Sequence, residues 1–372
     1  MYRFDFPSQL LRCGATVTHT EKQLLDARDR LAAAQECVAR RQCSDATVEY
    51  ARKCVNPYEL LQHVDVSGTP HSRSYFKLLE IASYFPAVAA AAHRCTLHLC
   101  EAPGAFIDAT LDMSNGAAEW HASSLAQREC IPFHDHHLRA KKINGHSRVI
   151  FGSDGSGNIL SRDNATCVIH ESGNGRCSLV TADGSVNDPS SNRDETHARL
   201  IAAQTYVALQ TLQPGNGCFV LRVLDCFMPS ARNLLWMCHA LFEHSSLVKL
   251  RASRVCESER YLVCTGFRAS PSQLRTCLDL LDSVAFGGAE LAGPGAPSPD
   301  AEAALYAALI AMTDMQTASV QESMALAVFL HSTGVVTARD ARQHYNEHLT
   351  RNTDKVMQAR QLMASFPLRG ST

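Results

Sequence analysis

Residues Leu97–Phe106 read LHLCEAPGAF. An apolar run, Thr96–Cys100, ends at the acidic Glu101, and the chain then turns on Pro103-Gly104-Ala105. This is the signature of a buried strand whose carboxyl end opens into a tight loop. In an open α/β sheet, ligands sit beyond the strand ends, and small residues there let the backbone approach them closely.

Working outward, strand and helix patterns alternate from about Ser74 to Phe267. The strands predicted are Thr96–Cys100, Ser178–Ala182, Cys218–Leu224, Leu247–Leu250 and Arg260–Cys264. Helical runs such as His197–Leu212 and Ala231–Phe242 separate them. Such alternation implies an α/β fold, a mostly parallel twisted sheet with helices on both faces. Before it, residues 20–41 read as a helix: Thr20 and Gln23 fit a capping box, and Leu24, Leu31 and Val38 recur every seventh position. Three such positions are too few to favour a coiled coil. After it, the Gly-, Pro- and Ala-rich run 286–299 reads as a linker, and 301–366 has a helical period. The expected organisation is an N-terminal helical region 1–69, a main domain 70–285, a linker 286–300 and a helical C-terminal module 301–372.

The 372 residues carry a formal net charge of −2, so any nucleic-acid binding must use a local basic groove. His134–Arg148, HDHHLRAKKINGHSR, is the best such loop. Its histidines raise the question of zinc, but no cysteine lies nearby at ligand spacing, and no metal is expected. The 15 cysteines include no C-x-x-C pair. With no secretory h-region in the first residues, they point to a reducing compartment. No apolar run of about 18 residues occurs, so no membrane association is expected.

Four polar positions stand out against apolar surroundings. Asp183 ends the strand in SLVTADGSVND, although Asp-Gly is also an ordinary turn. Arg222 interrupts GCFVLRVLDCF, where a guanidinium is costly unless paired or able to reach water. Glu259 immediately precedes a buried strand, and Lys77 sits in the amphipathic stretch RSYFKLLEI, where an exposed lysine is the plain alternative. Their order along successive elements suggests one crevice.

With these residues assembled, roughly 70–268 resembles the FtsJ-type ribose 2′-O-methyltransferases, Rossmann-like enzymes that use S-adenosyl-L-methionine. The likeness is to the mRNA cap enzymes, both those acting on the second transcribed nucleotide and the trypanosome type. LHLCEAPGAFI resembles the family's first cofactor-loop motif. WHASSL (120–125), FGSDGSGNIL (151–160), LVTADGS, GCFVLRVLDCF and SERYLVCTGF follow in family order. The resemblance implies a catalytic Lys-Asp-Lys-Glu tetrad falling on Lys77, Asp183, Arg222 and Glu259. It also implies cofactor contacts at Ala102, Pro103, Gly104, Ala105, Phe106, Trp120, Asp154 and Asp183, a capped mRNA 5′ end as partner, and a nuclear location, with the cytoplasm as the alternative. Arg222 stands where the family has a lysine thought to deprotonate the ribose hydroxyl. An arginine stays protonated and cannot be that base, though it can hold an oxygen and stabilise developing negative charge. Proton removal then falls to Lys77, Asp183 or water. A pseudo-methyltransferase that binds capped RNA or cofactor without chemistry is the alternative.

Overall fold

The computed structural model describes residues 1–6, 19–39, 43–56, 72–126, 131–139, 147–185, 193–293, 297–335, 337, 339–340, 343 and 361. Its elements in chain order are β1 (Tyr2–Asp5), α1 (Glu21–Ala39), α2 (Asp45–Val55), α3 (Arg73–Tyr84), α4 (Pro86–Ala91), β2 (Cys95–Leu99), α5 (Ala105–Met113), β3 (Glu119–Ser123), α6 (Asp135–Arg139), β4 (Arg148–Val149), α7 (Arg162–Ser172), β5 (Leu179–Ala182), α8 (Arg193–Thr211), β6 (Cys218–Val223), α9 (Pro229–Leu241), β7 (Phe242–Lys249), β8 (Arg260–Phe267), α10 (Pro271–Ala285) and α11 (Pro299–Ser332).

The strands form one eight-stranded sheet in the order β1-β7-β8-β6-β5-β2-β3-β4. From β4 to β6 all pairings are parallel. β8 runs antiparallel to both β6 and β7, and β1 antiparallel to β7. The chain moves outward from β2 to β4 and then returns to build β5 and β6 on the other flank. The switch point, where a crevice opens beyond the carboxyl ends, therefore lies between β2 and β5. The turn after Leu99 and the residue after Ala182 meet there.

β2 and β5 are buried at every position. Helices cover both faces, so these strands read as continuous apolar runs rather than alternating ones. Leu97, Leu99, Val180, Ala182, Phe219 and Leu221 pack in a core with α7, α8 and α9. Leu179, Cys218, Val220 and Val263 face the opposite way, toward α3, α4 and α5.

The predicted strands hold, with ends shifted by a residue or so for the first three. The fourth runs from Phe242, because α9 stops at Leu241 and extended pairing with β8 begins at once. β1 is a strand that the sequence pattern did not reveal: four residues give too short an alternation. The capping box at the start of α1 forms, with Gln23 Oε1 accepting from Thr20 N at 2.9 Å and Thr20 Oγ1 from Gln23 N at 3.4 Å. Leu24 and Leu31 are buried; the Val38 side chain lies outside the described residues. α11 begins against the main core through Ala301, Leu305 and Leu309 and runs on to pack with α1 and α2. Among the described residues, no helix is long and apolar enough to cross a membrane.

The Leu97 side chain is fully buried in the strand that carries the turn. Truncating it to alanine leaves a cavity in a close-packed interior, so Leu97→Ala should cost about 2–5 kcal/mol. Urea unfolding should show a lower midpoint at unchanged slope; a loss below about 1 kcal/mol would contradict this packing.

Candidate active site

The turn after β2 is built for close approach. Cys100 has φ +56° and Gly104 φ +116°, both in the left-handed region. A β-branched side chain does not sit there easily, and glycine does. Gly104 is also crowded, since a Cβ on it would lie 2.1 Å from the His137 ring. Glu101 folds back beneath the turn, and its Oε1 accepts from Phe106 N at 2.6 Å at the start of α5. Burial raises its pKa well above the usual carboxylate value, more than the α5 amide bonds lower it.

The His-rich segment docks on this turn. Pro103 O accepts from His134 N at 3.1 Å and lies 3.2 Å from His137 Nδ1, while His137 Nε2 lies 2.8 Å from Asp108 Oδ1. The remainder of the basic loop, 140–146, lies outside the described residues.

Strand direction brings the four polar residues together. β8 is antiparallel to β6, so its beginning lies at the edge where the parallel strands end. Arg222 is paired in register with Tyr261, and Glu259 sits two residues earlier. α3 crosses the same edge and inserts Lys77, which is 5% exposed rather than solvated. Lys77 Nζ donates to Glu259 Oε2 at 2.8 Å, and Arg222 Nη2 lies 3.2 Å from the same oxygen. Ser253 Oγ donates to the other oxygen, Oε1. Asp183 Oδ1 accepts from Tyr261 OH at 2.6 Å and lies 3.9 Å from Arg222 Nη1, beyond hydrogen-bond reach.

These contacts set the charges. Burial opposes ionisation of Glu259, but the charges of Lys77 and Arg222 and the Lys77 and Ser253 hydrogen bonds outweigh it, holding the carboxyl far below its usual range. Burial raises the pKa of Asp183, against the opposing pull of Lys77 and Arg222. For Arg222 burial favours the neutral form, yet Glu259 and Asp183 overcome it and raise the pKa further, so the guanidinium stays charged.

A second ring of residues, invisible to sequence patterns, positions the tetrad. Lys249 Nζ donates to the carbonyl oxygens of Glu257 at 2.5 Å and Glu259 at 2.8 Å. Gln316 of α11 reaches Ser258 Oγ at 3.2 Å, and Arg260 reaches Thr313 Oγ1 at 3.2 Å. Glu80 of α3 accepts from Arg251 N at 3.0 Å and Ala252 N at 2.9 Å, fixing the loop that presents Ser253.

Ala102, Pro103 and Gly104 form the turn itself. The Ala105 and Phe106 side chains point into the core, so only their backbone faces the turn. Trp120, second in β3, is buried with Ile107, Ala122 and Phe133, and its ring lies edge-on to His137, 5.7 Å between centroids, behind the turn at Pro103. Asp154 sits in an exposed turn, accepting from Ser156 N at 2.8 Å and Asn164 Nδ2 at 2.9 Å. Surface cavities of about 390 and 810 Å³, lined in turn by Arg3 and Phe85 and by Glu195 and Leu291, hold none of the tetrad.

Comparison with known proteins fits this geometry. Residues 70–267 match the FtsJ-like methyltransferase model, and the chain belongs to that family. It is 34% identical over 185 residues to cap-specific mRNA (nucleoside-2′-O-)-methyltransferase 1 of Trypanosoma cruzi (strain CL Brener), covering 46% of this chain and 48% of that protein. It is 30% identical over 207 residues to cap-specific mRNA (nucleoside-2′-O-)-methyltransferase of Autographa californica nuclear polyhedrosis virus, covering 54% and 74%. It is 29% identical over 231 residues to methyltransferase 2 of the same description from Mus musculus, covering 56% and 29%. The matched regions span about half or less of the trypanosome and mouse proteins.

The Lys77–Glu259 pair makes stability depend on acid. Because the native pKa of Glu259 lies below its unfolded value, its contribution is full above about pH 4.5 and fades as pH falls toward the native value. Lys77→Met raises that native value and shrinks the contribution. Circular dichroism during acid titration should show Lys77→Met unfolding at higher pH than wild type; coincident curves would mean the pair contributes nothing.

Proposed function

We propose that the chain methylates a ribose 2′-hydroxyl near the 5′ cap of mRNA, on the first or second transcribed nucleotide, using S-adenosyl-L-methionine. The observation that carries this reading is the convergence of Lys77, Asp183, Arg222 and Glu259 at the carboxyl edge of the sheet, beside the turn after Cys100. The names of the relatives supply the substrate class.

The residues suit the cofactor. Positive-φ Cys100 and Gly104 shape a turn whose backbone at Ala102–Phe106 can hold an amino-acid tail, and Asp183 places an acidic group beside it. When bound, the cofactor supplies an electrophilic methyl group on a sulfonium. The side chains then have three tasks. Lys77 and Arg222, locked to Glu259, present cationic donors that hold the ribose oxygen and stabilise negative charge as it develops. Glu259 keeps both cations in place and offsets their repulsion. Asp183 accepts the hydroxyl proton, since burial raises its basicity and Tyr261 holds it in one orientation. The basic segment His134–Arg148 contacts RNA phosphates, and the work takes place in the nucleus.

Arg222 favours one competing reading, a module that binds cofactor or capped RNA without turnover. The two separate in one assay: wild type, Asp183→Asn and Arg222→Lys are each incubated with capped RNA of defined length and cofactor. Mass spectrometry of the released nucleosides should find 2′-O-methylation by wild type and a loss of about 10²–10⁴-fold in Asp183→Asn. A silent wild type that binds cofactor in calorimetry, with turnover appearing in Arg222→Lys, would establish the binding module instead.

A further inference from the structure

At the opposite, amino-terminal edge of the same strands lies a second cluster that methyl transfer does not use. Cys95 opens β2 and stands in register beside Glu119, which opens β3. His121 is two residues further along β3, on the same face as Glu119. One ligand atom from each of the three lies within 4.8 Å of the other two. Cys177, just ahead of β5, places its Sγ 3.9 Å from Cys95 Sγ. Both thiols are free, and both residues are buried.

We infer that Cys95, His121 and Glu119 form a zinc site, with the Cys177 thiol next to Cys95. The spacing is the first reason. With Zn–S about 2.3 Å and Zn–N or Zn–O about 2.0–2.1 Å, tetrahedral ligands stand about 3.7 Å apart for two sulfurs and about 3.3 Å for nitrogen and oxygen. Here His121 Nε2 is 3.4 Å from Glu119 Oε1, and a ligand atom of Cys95 lies within 4.8 Å of one from each of them; Cys177 Sγ stands beside this set, 3.9 Å from Cys95 Sγ. The sulfurs are too far apart for a disulfide, whose bond is about 2.05 Å.

The second reason is unmet hydrogen bonding. His121 is 3% exposed, and neither ring nitrogen makes a hydrogen bond. With only the Glu119 carboxylate 3.4 Å from Nε2 and the Cys95 thiol beside the ring, this buried imidazole is under-satisfied, which is costly, and a cation on Nε2 removes that cost. The third reason is orientation from behind. Arg176 Nη2 donates to Glu119 Oε2 at 3.1 Å, which leaves Oε1 turned toward His121 and offsets the anionic ligand set. A thiolate and an imidazole select zinc over magnesium or calcium, which prefer oxygen. The partly exposed Glu119, at 26%, gives an ion its way in. Such a site would tie β2 and β3 together at the end remote from the turn, as a structural clamp independent of methyl transfer.

The test uses the full chain, purified without chelator or a metal-affinity tag. Plasma mass spectrometry should find about one zinc per chain. After zinc is removed, added cobalt(II) should give a thiolate-to-cobalt charge-transfer band with the visible bands of tetrahedral cobalt. Cys95→Ser should weaken or abolish the charge-transfer band and lower the zinc content. Should that variant fail to fold, the wild-type cobalt spectrum decides alone. Metal-free protein that gives no charge-transfer band, zinc bound without thiolate bands, or a band undiminished in folded Cys95→Ser would each overturn the assignment. None of these outcomes bears on the methylation reading, which keeps its own assay.

Discussion

One carboxylate holds the site together. Glu259 is 3% exposed and anchors two cations through a single oxygen, while its other oxygen is taken by Ser253. Lys77 and Arg222 come from a helix and a strand more than a hundred residues apart, and like charges that share one carboxylate oxygen in a buried site repel each other. Removing the anion would leave them buried and uncompensated, a situation that costs about 3–5 kcal/mol. The reversed direction of β8 is what makes the arrangement possible, because it delivers the start of a strand to the edge where the parallel strands finish.

Much of this was legible in the sequence, and for physical reasons. The apolar runs of β2, β5, β6 and β8 are buried on both faces, so composition alone marked them. Asp183, Arg222 and Glu259 were conspicuous because each breaks or borders such a run. Lys77 was harder: a lysine on an amphipathic helix is usually solvated, and only the position of Glu259 makes its burial tolerable. Tyr261, Ser253, Lys249 and Glu80 left no sequence signal. Each acts through a neighbour distant along the chain, or through a backbone group that carries no side-chain identity. Trp120 is buried in β3, and its link to the turn runs through His137, a packing contact that the motif alone did not show.

The long C-terminal helix joins the chemistry less directly. α11 carries Thr313 and Gln316 against Arg260 and the loop before it, so a segment beyond the family-matched region braces the loop that presents Glu259. Lys249 does the same from β7, and burial lowers its pKa to about 8. The geometry of the tetrad thus depends on elements that contribute no side chain to it. A charged crevice lies at one end of the sheet and the Cys95, Glu119 and His121 cluster at the other.

The central claim, that the tetrad grips a ribose hydroxyl, is tested most directly by a crystal structure with S-adenosylhomocysteine and a capped oligonucleotide. The account expects a ribose 2′-oxygen within about 3 Å of both the Arg222 guanidinium and an Asp183 oxygen, with the cofactor tail on the turn after Cys100. A phosphate or a base edge seated on Arg222, with every 2′-oxygen elsewhere, would contradict it.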